Sequence, residues 1–403
     1  MAEWKEVRLG DVACTNKRTY SPKEGWEFVN YLDTSNITRN RINEVQHIIT
    51  SIDKLPSRAR RKVCLNSIVY STVRPNQLHY GIIKKQPDNF LVSTGFTVID
   101  VDSDKANPDF IYYVLTRTDI TERLQAIAEQ SVSAYPSIKP SDIENLIFEL
   151  PDKNTQEKIV SILGSIDRKI EANLAINDNL QQQLRTIFKA EFTDNPELES
   201  ITQIPLSELC HIVTKGTTPT TLGKPFVESG INFIKAESIL DDHSIDKSKF
   251  AFIDEETNAL LKRSIIHDGD VVFTIAGTLG RFALIDENVL PANTNQAVAI
   301  IRADLEKVLP EYIYICFIGE WHTDYYAKRV QQAVQANLSL TTIKSLPIPL
   351  LDEAKMSEYL SLILPLIKAI KTNEAQNEKL AALRDNLLSK LMSGEIDVSS
   401  VQL

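Results

Sequence analysis

The sequence predicts an α+β protein of two similar lobes with β-rich cores, 1–151 and 200–351, separated by two long helices, 152–193 and 352–393, and closed by a tail, 394–403. The helices are expected to pair as an antiparallel coiled coil that relates the lobes by a pseudo-two-fold. Three observations lead to this: an internal repeat, an apolar seam in each long helical segment, and the composition of a folded chain.

The repeat has a period of roughly 200 residues, the kind of self-similarity that reveals architecture first. Pro108-Asp109-Phe110-Ile111-Tyr112-Tyr113 matches Pro310-Glu311-Tyr312-Ile313-Tyr314-Ile315, and Ser67-Ile68-Val69-Tyr70-Ser71 matches Asp270-Val271-Val272-Phe273-Thr274. Leu9-Gly10-Asp11-Val12 matches Leu206-Ser207-Glu208-Leu209, and Ile138, Ile143, Leu146 and Leu150 match Leu338, Ile343, Leu346 and Leu350. Shared order and a near-constant offset make chance a poor explanation. Each half opens with short β-like runs broken by turn residues: Glu27–Leu32, Ser67–Val73 and Phe96–Val101, then Ile231–Lys235, Asp270–Ile275 and Gln296–Ile301. A short helix follows near Pro108–Arg117 and Pro310–Trp321, then a Pro-flanked strand, Leu146–Pro151 or Leu346–Leu351.

Each half closes with a long helix. The first seam runs Ile159, Leu163, Ile166, Ile170, Asn173, Asn177, Leu180, Leu184, Ile187. The second runs Tyr359, Ile363, Leu366, Ile370, Asn373, Asn377, Leu380, Arg384, Leu387, Leu391. Alternating steps of four and three define a coiled-coil stripe, and polar residues at core positions fix register at a cost in stability. Asn173, Asn177, Asn373 and Asn377 are therefore the expected register residues. Antiparallel pairing sets the first two opposite the last two. Parallel pairing would match them as well, and packing of each helix on its own lobe is the simpler alternative. Pro365 is expected to bend the second helix or delay its start. Gly394 is a C-cap candidate, the tail after it is expected to be a strand or frayed, and Thr193-Asp194-Asn195-Pro196-Glu197 marks the boundary between halves.

Composition fits a folded multidomain chain: 403 residues, 43% hydrophobic and 24% charged. No apolar run is long enough to cross a bilayer, and Met1-Ala2-Glu3-Trp4-Lys5 lacks a signal pattern, so a cytoplasmic location is expected. Cys14, Cys64, Cys210 and Cys316 form no CxxC pair, and the six histidines show no HxxxH spacing, so no metal site is expected. The net charge of −10 counts against nucleic-acid binding without excluding it, because binding needs only a local basic surface. Such a chain alone should bind DNA weakly.

Two similar units on a rigid rod make a measuring device. A helix of about 40 residues spans roughly 60 Å, and a turn of duplex DNA is about 34 Å. Two readers on such a rod can touch two short sites with untouched base pairs between them.

Along nearly its whole length the chain resembles the specificity subunit of type I restriction–modification systems. The likeness rests on order, length and repeat, and on local phrases: Ile68-Val69-Tyr70-Ser71-Thr72-Val73-Arg74-Pro75-Asn76, Ser93-Thr94-Gly95-Phe96, Gly269-Asp270-Val271-Val272-Phe273-Thr274-Ile275-Ala276-Gly277-Thr278-Leu279-Gly280-Arg281, and the close Leu387-Leu388-Ser389-Lys390-Leu391-Met392-Ser393-Gly394-Glu395-Ile396. The resemblance implies that each lobe is a target recognition domain reading one part of a split double-stranded DNA site. It implies that the helices are spacer and dock for two modification subunits, which carry S-adenosylmethionine and methylate adenine. Restriction subunits with motor and nuclease would join for cleavage. This chain would hold no cofactor and no active site.

Arg and Lys suit guanine, Asn and Gln suit adenine, and small hydroxyls adapt. Arg74, Asn76 and Gln77 follow a strand directly and are candidate readers; a solvated turn is the plainer alternative. Thr278 and Arg281 occupy the aligned loop of the second half, where a glycine hairpin turn is the alternative. Arg58, Arg60, Arg61 and Lys62, with Arg39 and Arg41, form the densest basic cluster, suited to phosphate or to a solvated face. Lys215, Thr217, Thr218, Asn293, Asn295 and Gln296 are further candidates in the second half. Tyr135 and Trp321 are expected to pack rather than stack on bases.

Enzyme motifs are near misses. Asn107-Pro108-Asp109-Phe110 has Asp where an adenine methyltransferase needs a second Pro, and reads as a helix start. Pro151-Asp152 with Asp167-Arg168-Lys169 weakly imitates a nuclease pattern, and no GxxxxGK[ST] occurs. A non-catalytic scaffold that binds protein partners is the competing class, followed by a stand-alone methyltransferase.

Overall fold

The computed structural model describes residues 4–131, 135–195, 201–323, 325 and 337–401. The chain forms two compact units, residues 1–169 with 380–403, and residues 170–379. The division crosses both long helices, Lys153–Phe188 and Glu353–Met392. Each unit thus holds one lobe, the start of the helix that follows it and the end of the other helix.

In the first unit Lys5–Arg8 pairs antiparallel with Ile147–Leu150 and closes the lobe. An antiparallel sheet runs in the order Ala13–Thr15, Phe96–Val101, Ile68–Ser71, Tyr80–Ile82. A mixed sheet runs Gln46–Ile49, Phe28–Leu32, Phe90–Ser93, Ala59–Lys62, its two inner strands parallel. Ile68–Ser71 and Phe90–Ser93 are buried at every position, which is why they read as continuous apolar runs rather than as alternation. Helices Pro108–Leu115 and Thr118–Glu129 cover the core. The first starts as the sequence suggests: Asn107 Oδ1 accepts the N–H groups of Asp109 and Phe110 at 2.9 and 3.3 Å.

The second unit repeats this plan. Thr202–Pro205 pairs with Pro347–Leu350. The antiparallel sheet runs Cys210–Lys215, Val298–Ala303, Val271–Thr274, Phe282–Leu284. The mixed sheet runs Ala251–Ile253, Ile231–Ile234, Ala292–Thr294, Ile265–Ile266, again with parallel inner strands. Helix Pro310–Ile318 takes the place of Pro108–Leu115.

The helices pack both on the lobes and on each other. Ile159 and Leu163 join the first core with Leu388, Leu391 and Met392; Leu184 and Phe188 join the second with Tyr359, Ile363, Ile367 and Ile370. In the second unit Asn173 Nδ2 donates to Asn377 Oδ1 and Gln376 Oε1, both at 2.8 Å, and Asn373 Nδ2 donates to Asn177 Oδ1 at 2.7 Å. Rising numbers on one helix meet falling numbers on the other, so the helices run antiparallel.

One sequence expectation is narrowed here and another is corrected. The second helix starts at Glu353 and continues through Pro365, so of the two expected effects, a bend or a delayed start, the delay does not occur. Burial of Ile363, Ile367 and Ile370 around the proline offsets the lost hydrogen bond. The described part of the tail, up to Val401, is neither strand nor loose: Val398 is buried, Ile396 and Val401 pack on the first core, and Lys158 Nζ donates to Ser399 O at 2.7 Å. Gly394 does cap the helix, at φ 70°. In the linker Lys189–Thr193 forms a π-helical turn that buries Phe192, while Pro196 and Glu197 lie outside the described residues.

Candidate nucleic-acid interface

In the first lobe the buried strand Ile68–Ser71 delivers the chain to a turn that its neighbours hold in shape. Arg74 sits at φ 48°, and Pro75 opens the short 3-10 turn Pro75–Gln77. Arg74 N donates to Pro136 O at 2.9 Å, and Asn76 N donates to Gln125 Oε1 at 3.3 Å. The side chains of Arg74, Asn76 and Gln77 remain exposed. Tyr135 corrects the expectation of packing: it is 60% exposed, and the Arg74 guanidinium lies 5.2 Å from its ring centroid.

Arg39 and Asn40, both at positive φ, form the two-residue tip of the hairpin Ile37–Thr38 and Arg41–Ile42, the geometry of a type I′ turn. Arg39 N donates to Leu78 O and Asn40 N to Tyr80 O, at 2.9 and 2.8 Å. These bonds bring exposed Arg39 and Arg41 to the chain leaving the Arg74 turn. Arg58 joins them through a backbone relay, since Thr94 N donates to Arg58 O and Thr72 N to Gly95 O, each at 2.8 Å. Arg60 and Arg61 lie further along the strand and are half-buried; Arg60 Nη1 and Arg61 Nε are covered and have no hydrogen-bond partner among the described residues, and burial lowers the Arg61 pKa. Lys62 is occupied by an ion pair with Glu24 and sits over Trp26 at 5.0 Å.

In the second lobe the aligned loop is built differently. Gly277 and Gly280 adopt φ 77° and 87°, conformations that side chains other than glycine rarely take. Thr278 is exposed at the tip. Arg281 is not a free reader. Its Nε and Nη2 clamp Asp241 at 2.6 and 2.7 Å, and its Nη1 donates to Ile239 O at 3.2 Å. Asp241 lies far back in sequence, which hid the pairing. His79 Nδ1, 2.6 Å from Ile37 O, fills the same place in the first lobe.

A second polar edge forms where Thr217 N donates to Thr294 O at 3.1 Å and Thr218 Oγ1 bonds Gln296 Oε1. Gly216 must be glycine, because any Cβ there would strike Thr294 O. Lys215 is exposed, Thr217, Thr218 and Asn295 half-exposed, and Arg263 Nη2, missed in the sequence, donates to Thr217 Oγ1 at 3.3 Å. Asn293 is corrected outright: it is fully buried, and its amide is spent on Asn258 Oδ1 and Leu261 O. Trp321 packs, its Nε1 donating to Pro347 O at 2.9 Å.

The nuclease-like residues have structural partners. Asp152 caps the first long helix through Thr155 N at 3.0 Å, and Asp167 accepts from Tyr113 and Arg384. Among the described residues no group of three His, Cys, Asp or Glu side chains is placed to hold a metal ion, and no helix is long and apolar enough to cross a membrane.

Comparison with known proteins agrees with this architecture. The chain is 25% identical over 469 aligned positions to the type I restriction enzyme HindI specificity subunit of Haemophilus influenzae, covering 98% of this chain and all of that protein. It is 23% identical to the MjaIX specificity subunit of Methanocaldococcus jannaschii, over 80% of this chain and 76% of that one. The crystal structure of a type I restriction–modification S subunit from M. genitalium matches the fold with a TM-score of 0.52 at 15% identity, covering 97% of this chain and 96% of that one. The family model for the type I restriction modification DNA specificity domain matches twice, at residues 1–182 and 199–382, and the chain therefore belongs to that family.

Proposed function

We propose that this chain gives a type I restriction–modification complex its DNA address, each lobe reading one part of a split double-stranded site. As a member of the specificity family it is the non-catalytic component, which binds DNA and assembles with the other subunits. Two modification subunits on the helices, restriction subunits joining for cleavage and a cytoplasmic setting complete the proposal. The observation that carries it is one topology built twice with unlike polar loops. Arg39, Arg41, Arg58, Arg74, Asn76 and Gln77 are our candidate DNA contacts in the first lobe, and Lys215, Thr217, Thr218, Thr278 and Asn295 in the second.

The helices hold 36 and 40 residues, about 54 and 60 Å of helix. We assign them the spacing between the two half-sites. The net charge of −10 suits a chain whose acidic faces meet protein partners, and leaves DNA affinity of the isolated chain low. Mapping adenine methylation in cells with and without this gene tests the reading. A split motif that vanishes with the gene is expected. A methylation pattern indifferent to the gene would sink it.

A further inference from the structure

The Asn contacts between the long helices do not say which helices must pair. A first helix would offer Asn177 and Asn173 to the first helix of another copy just as it offers them to Asn373 and Asn377 here. Beyond these residues the two halves differ. In the first unit Arg384 Nη1 donates to Asp167 Oδ1 at 3.1 Å, and the Tyr113 hydroxyl donates to Asp167 Oδ2 at 2.6 Å. The two charged side chains are only 23% and 26% exposed. Asp385 adds a second partner for Arg384 at 2.8 Å. Burial opposes the Arg384 charge, but Asp385 and Asp167 outweigh it and raise the guanidinium pKa.

The equivalent positions of the second unit follow from the matched strands and helices. Ile147–Leu150 matches Pro347–Leu350, so Asp167 corresponds to Ile367 and Arg384 to Leu184. Pro108–Leu115 matches Pro310–Ile318, so Tyr113 corresponds to Ile315. Leu184, Ile315 and Ile367 are all buried in one apolar cluster. A polar triad in one unit is replaced, member for member, by three hydrocarbons in the other.

We infer that these positions are a pairing code that directs the first half of the chain to the second half, and not to the like half of another copy. Only first-with-second pairing sets charge against charge and hydrocarbon against hydrocarbon. Two first halves would face Asp167 with Leu184 and leave the carboxylate only Tyr113. Two second halves would push Arg384 against Ile367 and leave it only its helix neighbour Asp385, which is 59% exposed. A largely covered charge without its partner is strongly unfavourable, whereas an apolar pair is neutral or better. The code keeps a duplicated chain from assembling as two identical halves, whichever DNA the lobes read.

Exchanging the two equivalent residues inverts the code. In the full-length variant Leu184→Arg with Arg384→Leu, Asp167 finds the relocated guanidinium only in another copy, and Ile367 finds a leucine only there. The variant is co-expressed as tagged and untagged copies, and the untagged copy retained on the tag is measured. Retention several-fold above wild type is expected, and retention equal to wild type overturns the code. Should that variant not fold, melting of Arg384→Leu against Asp167→Ile with Arg384→Leu decides. The single change is expected to lower the melting temperature by about 6–20 °C, with at least half recovered in the double. A double variant no better than the single overturns the proposal.

Discussion

The two lobes share a strand order and settle charge inside it differently. Where the buried central strand begins, the first lobe has Ser67 and, on the neighbouring strand, Asp100. Ser67 Oγ donates to Asp100 Oδ1 at 2.5 Å, and Arg18 Nη2 reaches Asp100 Oδ2 at 3.2 Å. The second lobe has Asp270 and Arg302 at the same two places, joined by two bonds of 2.7 Å, with His267 N donating to Asp270 at 2.8 Å. The carboxylate has changed strands, and its cation has moved from a loop onto the sheet. Apolar positions of the repeat are held in place by packing, while polar ones vary in matched sets. Sequence-specific loops can diverge on such a frame without loss of the fold.

This contrast yields predictions of falling size. Asp270 is fully buried, so Arg302→Ala strands its carboxylate and is expected to cost about 3–5 kcal/mol, read as a lower melting temperature of the second unit. The matching change Arg18→Ala, on a side chain 43% exposed, is expected to cost less than about 1 kcal/mol. Equal losses would break the comparison.

Acid should find the second unit as well. His243 is buried against Phe282 with ring centroids 4.0 Å apart, and among the described residues neither ring nitrogen has a hydrogen-bond partner. Burial, then the nearby Arg185, push its pKa down to about 4 from 6.5. The folded state therefore binds fewer protons than the unfolded state between these values. Stability is complete above pH 6.5 and is lost as pH falls toward 4, by about 1.4 kcal/mol for each unit. His243→Asn, which tolerates the φ of 66°, is expected to flatten that slope in urea titrations at pH 7 and pH 5. An unchanged slope would remove His243 from the account.

The readers themselves should separate. Arg74→Ala is expected to leave melting unchanged and weaken recognition of one half-site by about 1–3 kcal/mol, roughly 5- to 150-fold in protection of DNA by the assembled complex. Arg281→Ala and Asp241→Ala are expected to behave alike, because the two side chains act as one clamp. A strong Arg281 effect with a silent Asp241 would restore Arg281 as a direct reader.

The repeat, the two long helices and most buried strands were legible because burial writes itself into apolar pattern. Of the mixed sheets only the inner strands Phe28–Leu32 and Ile231–Ile234 were legible. Ala59–Lys62, whose residues read as a basic cluster, is a strand because Ala59 anchors it under Tyr20 and Leu91. Asn293 reads as a candidate DNA contact, yet its strand Ala292–Thr294 lies parallel to Ile231–Ile234, and its amide is satisfied by Asn258 and Leu261. Such hydrogen bonding depends on partners tens of residues away, which local pattern does not record. The same distance hid the Asp241 clamp, and with it the difference between Arg74 and Arg281.

Two readers in one chain can be told apart by a single comparison. The assembled complex is offered a library of DNA sites varied at each position of the split motif, and methylated sites are sequenced for wild type, for Arg74→Ala and for Lys215→Ala with Thr217→Ala. Each variant is expected to relax one half of the motif, a different half in each case, with the spacing kept. Relaxation of the same half by both, or of neither, would contradict two independent lobes reading one address.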